Sequence, residues 1–209
     1  MTINELWHSQ NERAWTEAMD RYMLYVKPEN VELEREMEVL DLNYVGQLDA
    51  QAWYDFLYHK YFRWKYTAPN RLASTRKLLL KYVESYTLDD LLRVRTQLLT
   101  FPRENVKQGL QIASSIHGLG IAGASGLLSL LYPDHFATVD QFVVKALLDV
   151  EALPNRVALK KMNPYGLELK DGVILIGIMS DKAAENNEEF RTDSWTARKI
   201  DKILWTYGR

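Results

Sequence analysis

Residues 116–128 read Ile116-His117-Gly118-Leu119-Gly120-Ile121-Ala122-Gly123-Ala124-Ser125-Gly126-Leu127-Leu128. A helix arriving at Ile116 can reverse here, because glycine takes positive φ without a Cβ penalty. A second helix leaves at once, and its small residues let the pair pack closely. The reversal presents backbone N–H groups at a helix N-terminus, where an anion such as a phosphate can be held. The same letters also fit a helix C-cap glycine followed by an ordinary turn.

Leu130-Leu131-Tyr132-Pro133 ends the outgoing helix, and Val139-Asp140-Gln141-Phe142-Val143-Val144-Lys145-Ala146-Leu147 follows. Asp140 stands 20 positions after Gly120. It occupies the place of an N-cap for a helix starting at Gln141, a task aspartate does well.

Taken together, residues 116–147 resemble the helix-hairpin-helix superfamily of base-excision DNA glycosylases. That family pairs an apolar-Gly-apolar-Gly hairpin with a later apolar-Asp-x-x-Val-x-basic-x-Leu run, met here by Val139, Asp140, Val143, Lys145 and Leu147. The resemblance implies a hairpin that grips duplex DNA through His117, Gly118, Leu119, Gly120 and Ala122. It also implies a nucleotide flipped out of the stack, since glycosidic chemistry cannot occur inside it. Asp140 is then the catalytic carboxylate, stabilising charge on the sugar and orienting the attacking nucleophile. Its capping role is compatible with that task. No cofactor is implied, apart from a monovalent cation at the hairpin.

The chain departs from the family at Ala122, which fills the slot of the nucleophilic lysine in bifunctional members. Chemistry at this position is therefore expected to be monofunctional and to use water. The segment 103–115 also leaves little room for the extra helix that commonly precedes the hairpin. A catalytically silent nucleic-acid-binding or interaction protein with the same fold stays open as a second reading.

Residues 56–83 lack Asp and Glu and carry Lys60, Arg63, Lys65, Arg71, Arg76, Lys77 and Lys81 among several aromatics. Basic groups neutralise phosphates and aromatic rings stack on bases. Lys65, Tyr66, Arg71 and Arg76 are candidate DNA contacts, whereas most of the aromatics read as core. The preceding stretch, 29–41, is acidic, with Glu29, Glu32, Glu34, Glu36, Glu38 and Asp41 against Arg35. The two runs suggest a polarised surface.

Apolar residues at three- and four-residue spacing predict an all-α, multi-helix chain of about ten helices. One helix is expected from Leu6 to Val26, then others over 30–40, Asp49–Lys65, from Pro69, from a Thr87 cap, and over 103–115. Beyond the Asp140 helix, a short helix or loop falls between Pro154 and Pro164, followed by a helix over 172–185. A polar loop is expected over Asn186–Arg191, and a final helix capped between Thr192 and Ser194. Trp195, Trp205 and Tyr207 fit core anchors. The organisation expected is one all-helical domain over 1–209, or two packed lobes, with the hairpin and aspartate helix at 103–150.

Composition bounds the rest. The chain of 209 residues is 47% hydrophobic, enough for a real core, with net charge −2. Cysteine is absent, which excludes disulfides, zinc–thiolate sites and cysteine-ligated iron–sulfur clusters. The four histidines have no metal-ligand spacing, so no metal site is expected. No apolar run approaches the ~20 residues of a membrane span. The N-terminus does not read as a signal peptide. The implied partner is duplex DNA with a flipped base and no membrane, in a cytoplasmic setting; oligomeric state is not indicated.

Overall fold

The computed structural model describes residues 1–209. Helices hold 70% of them and no strand is present, so the chain is all-α. Nearly all the buried apolar side chains form one continuous cluster that runs from Ile3 to Leu204. No helix is long and apolar enough to cross a membrane.

The N-terminal stretch is not one helix but three, Ile3–Trp7, Glu12–Asp20 and Tyr22–Tyr25. A Thr2/Glu5 capping box opens the first, and Asn11 opens the second by accepting from the Arg13 N–H at 3.1 Å. Asparagine here satisfies a free helix N–H better than it would continue a helix. The helix Val31–Glu38 comes next.

Asp49 caps the helix Ala50–Asp55, which runs on through π-helical turns at Phe56–Tyr61 into Phe62–Lys65. The π turns offset the register of Phe62–Lys65 against Ala50–Asp55. Pro69 opens Pro69–Ser85, and the Thr87/Asp90 capping box opens Leu88–Thr100. Asn105 caps Val106–Ser114, the helix that leads into the hairpin.

The outgoing hairpin helix, Ile121–Leu131, is buried from Gly123 to Leu131 and forms the centre of the molecule. The aspartate helix, Gln141–Leu148, packs along the C-terminal helix, Ala197–Gly208. At their closest approach a Cβ on Gly208 would stand 2.0 Å from the Phe142 carbonyl oxygen, so only glycine allows this packing.

The long helix Leu169–Phe190 continues through the stretch expected to be a loop. Its polar residues hold the end in place. Asn187 accepts from the Trp195 N–H and donates to the Trp195 carbonyl, both at 2.8 Å, and the backbone turns off at Arg191 with φ 54°. The last helix is capped by Thr196, which accepts from the Lys199 N–H. Thr192 accepts from the Ser194 N–H in the turn before it.

Part of the acidic run is buried or paired rather than free on the surface. Glu36 pairs with Lys60, and Glu34 is buried, accepting from the Tyr22 hydroxyl and the Trp64 indole N–H at 2.7 Å each. Glu38 pairs with Lys202 and, at 2.7 Å, with Arg198. Arg198 also pairs with Asp201 at 2.8 Å. The acidic helix is thereby fastened to the C-terminal helix by a buried ion network.

Candidate functional site

Two concavities carry the residues singled out from the sequence. The first is a groove of about 330 Å³ along the hairpin, lined by His117, Gly118, Leu119, Gly120, Ile121, Ala122 and Gly123 on one side. Tyr66, Arg71, Thr75 and Tyr165 contribute to its other walls.

The two hairpin glycines have different reasons to be there. Gly118 has φ +98°, and a Cβ on it would stand 2.8 Å from the Thr75 carbonyl oxygen. The turn and the helix behind it both demand glycine. Its carbonyl accepts from the Tyr66 hydroxyl at 3.0 Å. Gly120 has φ −71°, which any residue adopts, and nothing lies within 4 Å of where its Cβ would be. The fold leaves open space at Gly120, directly before the first-turn amides of Ile121, Ala122 and Gly123. Those amides have no intrahelical acceptor.

The second concavity is a cavity of about 260 Å³ whose lining shares no residue with the groove. Its wall brings together Asp140, Lys65 and Thr138 with the aromatic side chains of Tyr22, Trp64, Phe142 and Trp205. The buried Arg198, Asp201 and Glu34 and the exposed Lys27 and Arg209 also line it.

Asp140 is held in place from several sides. Oδ1 accepts from the Phe142 and Val143 N–H groups at 2.9 and 3.2 Å, capping the aspartate helix. The preceding residues are pinned as well: the Val139 N–H donates to the Ser125 hydroxyl at 2.9 Å, and the Thr138 N–H donates to Asp201 at 2.6 Å. The second carboxylate oxygen, Oδ2, receives no hydrogen bond from the protein. The side chain is therefore both a helix cap and a half-buried group on the cavity wall.

Electrostatics differ sharply along this wall. Burial pushes the Glu34 carboxyl up, opposed by Arg198 and by the hydrogen bonds from Tyr22 and Trp64. On the groove side, burial pushes the Tyr66 hydroxyl up to about 12. Burial also pulls the Lys65 ammonium below the ordinary lysine range, with Asp140 the largest opposing charge. No group of three or more His, Asp or Glu side chains is close enough to hold a metal ion.

Of the residues singled out from sequence, His117, Gly118, Leu119, Gly120, Ala122 and Arg71 line the groove. The Leu119 side chain is buried, so this residue offers only its backbone. His117 is exposed and packs edge-on against Tyr82, with ring centres 4.8 Å apart. Lys65 lines the Asp140 cavity and not the groove. Arg76 lines neither: its Nε–H donates to the Tyr58 carbonyl at 2.9 Å and its guanidinium lies over the Tyr58 ring. That is a structural task, achieved within the basic stretch itself.

Sequence reasoning did not find Tyr22, Trp64, Phe142 or Arg198 as cavity residues, and it placed Trp205 in the core. Trp205 is half-exposed on the cavity wall. No local pattern links these residues, which come together only through tertiary packing. Neither a family model, nor a curated protein, nor a solved structure matches the chain.

Proposed function

We propose that the protein binds duplex DNA along the hairpin groove and hydrolyses the N-glycosidic bond of a nucleotide swung into the Asp140 cavity, as a DNA glycosylase acting in base-excision repair that uses water for base release and has no nucleophilic lysine on its hairpin helix. The observation that carries this reading is the divided use of one carboxylate. Oδ1 of Asp140 is fixed by two backbone amides, while Oδ2 is left without a protein partner on the wall of an aromatic-lined cavity. A fixed carboxylate in such a place can stabilise positive charge developing on the sugar and orient water for attack. The aromatic walls suit a flat heterocycle, which must leave the stack to be reached.

Two features of the groove support duplex binding. Open space at Gly120 lets a phosphate approach the first-turn amides closely, and Arg71 adds positive charge beside them. A second reading, DNA binding without chemistry, is favoured by Ala122 in the lysine slot and by the cap that Asp140 supplies to its helix.

A panel of duplexes, each carrying one modified or mismatched base, separates the two. Base release from at least one duplex is the expected result, read as alkali-labile strand breaks. Binding to every duplex with release from none would leave only the second reading.

A further inference from the structure

We infer that the Lys65 amine is a nucleophile toward the sugar aldehyde of an abasic nucleotide in the Asp140 cavity, supplying an amine-dependent strand-cleaving step that the hairpin helix does not. This rests on the reading of the cavity as the seat of a flipped nucleotide.

Lys65 ends the helix that emerges from the π turns. Its stem lies across the hairpin helix at Gly126, where a Cβ would stand 3.2 Å from Lys65 Cδ and 3.4 Å from Cε. Gly126 therefore keeps the path of the stem open. The Lys65 Nζ has no carboxylate within ion-pair distance and no hydrogen-bond partner in the protein. Its acidic neighbours are otherwise engaged. Asp201 holds Arg198 and the Thr138 N–H, Glu34 holds Tyr22 and Trp64, and Asp140 Oδ1 caps its helix.

An unpaired ammonium in a half-buried place is a cost to folding that an apolar side chain would avoid. Desolvation favours its neutral form, assisted by Arg198 and opposed by Asp140, Asp201 and Glu34. A neutral amine is the form that attacks carbonyl carbon, which is how desolvated lysines become Schiff-base nucleophiles.

The step balances without any external reagent but water. Base hydrolysis leaves a sugar whose ring-opened form carries an aldehyde at C1′. The Lys65 nitrogen adds to C1′, and loss of water gives a protonated imine. Asp140 Oδ2, on the same wall, takes the C2′ proton. The electron pair forms the C2′–C3′ double bond as the C3′–O bond breaks and the 3′ phosphate departs. Water then hydrolyses the imine and restores the amine.

The test uses the full-length protein and a duplex with one abasic site, prepared by removing uracil, in the presence of sodium borohydride. Borohydride reduces an imine to a stable amine. A covalent protein–DNA adduct is expected, with the sugar mass mapped to Lys65 by peptide mass spectrometry of the wild-type adduct. Lys65→Arg and Lys65→Met are expected to lower adduct yield at least about tenfold while abasic-duplex binding persists. Binding without any adduct, or an adduct mapped to another amine, overturns the role of Lys65 and leaves the proposed function standing. Failure to bind the abasic duplex at all overturns both.

Discussion

The Tyr66 hydroxyl donates to the Gly118 carbonyl at 3.0 Å, tying the helix that ends at Lys65 to the turn of the hairpin. Gly118 and Gly120 stand on either side of Leu119, but only Gly118 is required by this packing. Gly118→Ala forces a Cβ onto a left-handed backbone and against the Thr75 carbonyl, and is expected to cost about 2–3 kcal/mol in urea denaturation. Gly120→Ala meets open space and only a poorer N-cap, so its cost is expected to stay below about 1 kcal/mol. Its DNA affinity, by contrast, is expected to fall, because the added methyl stands where a phosphate would approach. Equal effects of the two substitutions on stability would contradict this assignment.

Arg71 is exposed on the groove wall and has no ion-pair partner in the protein, whereas Arg76 is occupied by Tyr58. Arg71→Ala is expected to weaken duplex binding and to reduce the slope of log K against log salt by about 1. Arg76→Ala is expected to leave that slope unchanged and to lower thermal stability. Fluorescence anisotropy titrations across a salt series read both.

Lys65 gives a pH-dependent stability whose sign is set by its environment. Its folded-state pKa lies below the ordinary lysine value of 10.5, so the native state releases the proton first as pH rises. Between the two values the unfolded chain binds more protons, and stability rises with pH. Below that window the amine is charged in both states and the burial penalty is fully present. Lys65→Met is therefore expected to be more stable than the wild type at neutral pH, with the difference narrowing as pH rises toward 10.5. Urea denaturation at a series of pH values checks it; a difference that does not change with pH would contradict it.

Arg198 joins Glu38 and Asp201 and donates to the Thr138 hydroxyl at 3.2 Å. Removing one member of a buried ion network leaves the others uncompensated, at a cost of about 3–5 kcal/mol. Arg198→Met is expected to lose stability of that order, and the loss is expected to shrink when Glu38→Gln and Asp201→Asn are added. A double-mutant cycle measures that coupling.

The hairpin and the aspartate cap were legible in the sequence because each depends on local chemistry. Glycine at Gly118 and aspartate at Asp140 announce a turn and a helix start within a few residues. The breaks near Asn11 and the continuation through Asn186–Phe190 escape a sequence reading for one shared reason. A polar residue can cap, end or simply face a neighbouring segment, and composition does not say which. Asn187 continues a helix because Trp195 meets both ends of its amide. The cavity was the least legible part. The π turns at 56–61 offset the register that carries Trp64 and Lys65, and Tyr22, Trp205 and Arg198 arrive from distant stretches. Glu34 reads as part of an acidic face, yet it is buried against Tyr22 and Trp64.

The most direct test is single-turnover base release by wild type and Asp140→Asn on a duplex the wild-type protein processes, at matched occupancy. Asparagine also caps helices well, so the fold and the DNA affinity are expected to survive the substitution. What is lost is the charge on the cavity wall, and release is expected to fall on the order of a hundredfold or more. Release by Asp140→Asn at the wild-type rate, with both proteins folded and bound, would show that Asp140 is a helix cap alone and contradict its assignment as the catalytic carboxylate.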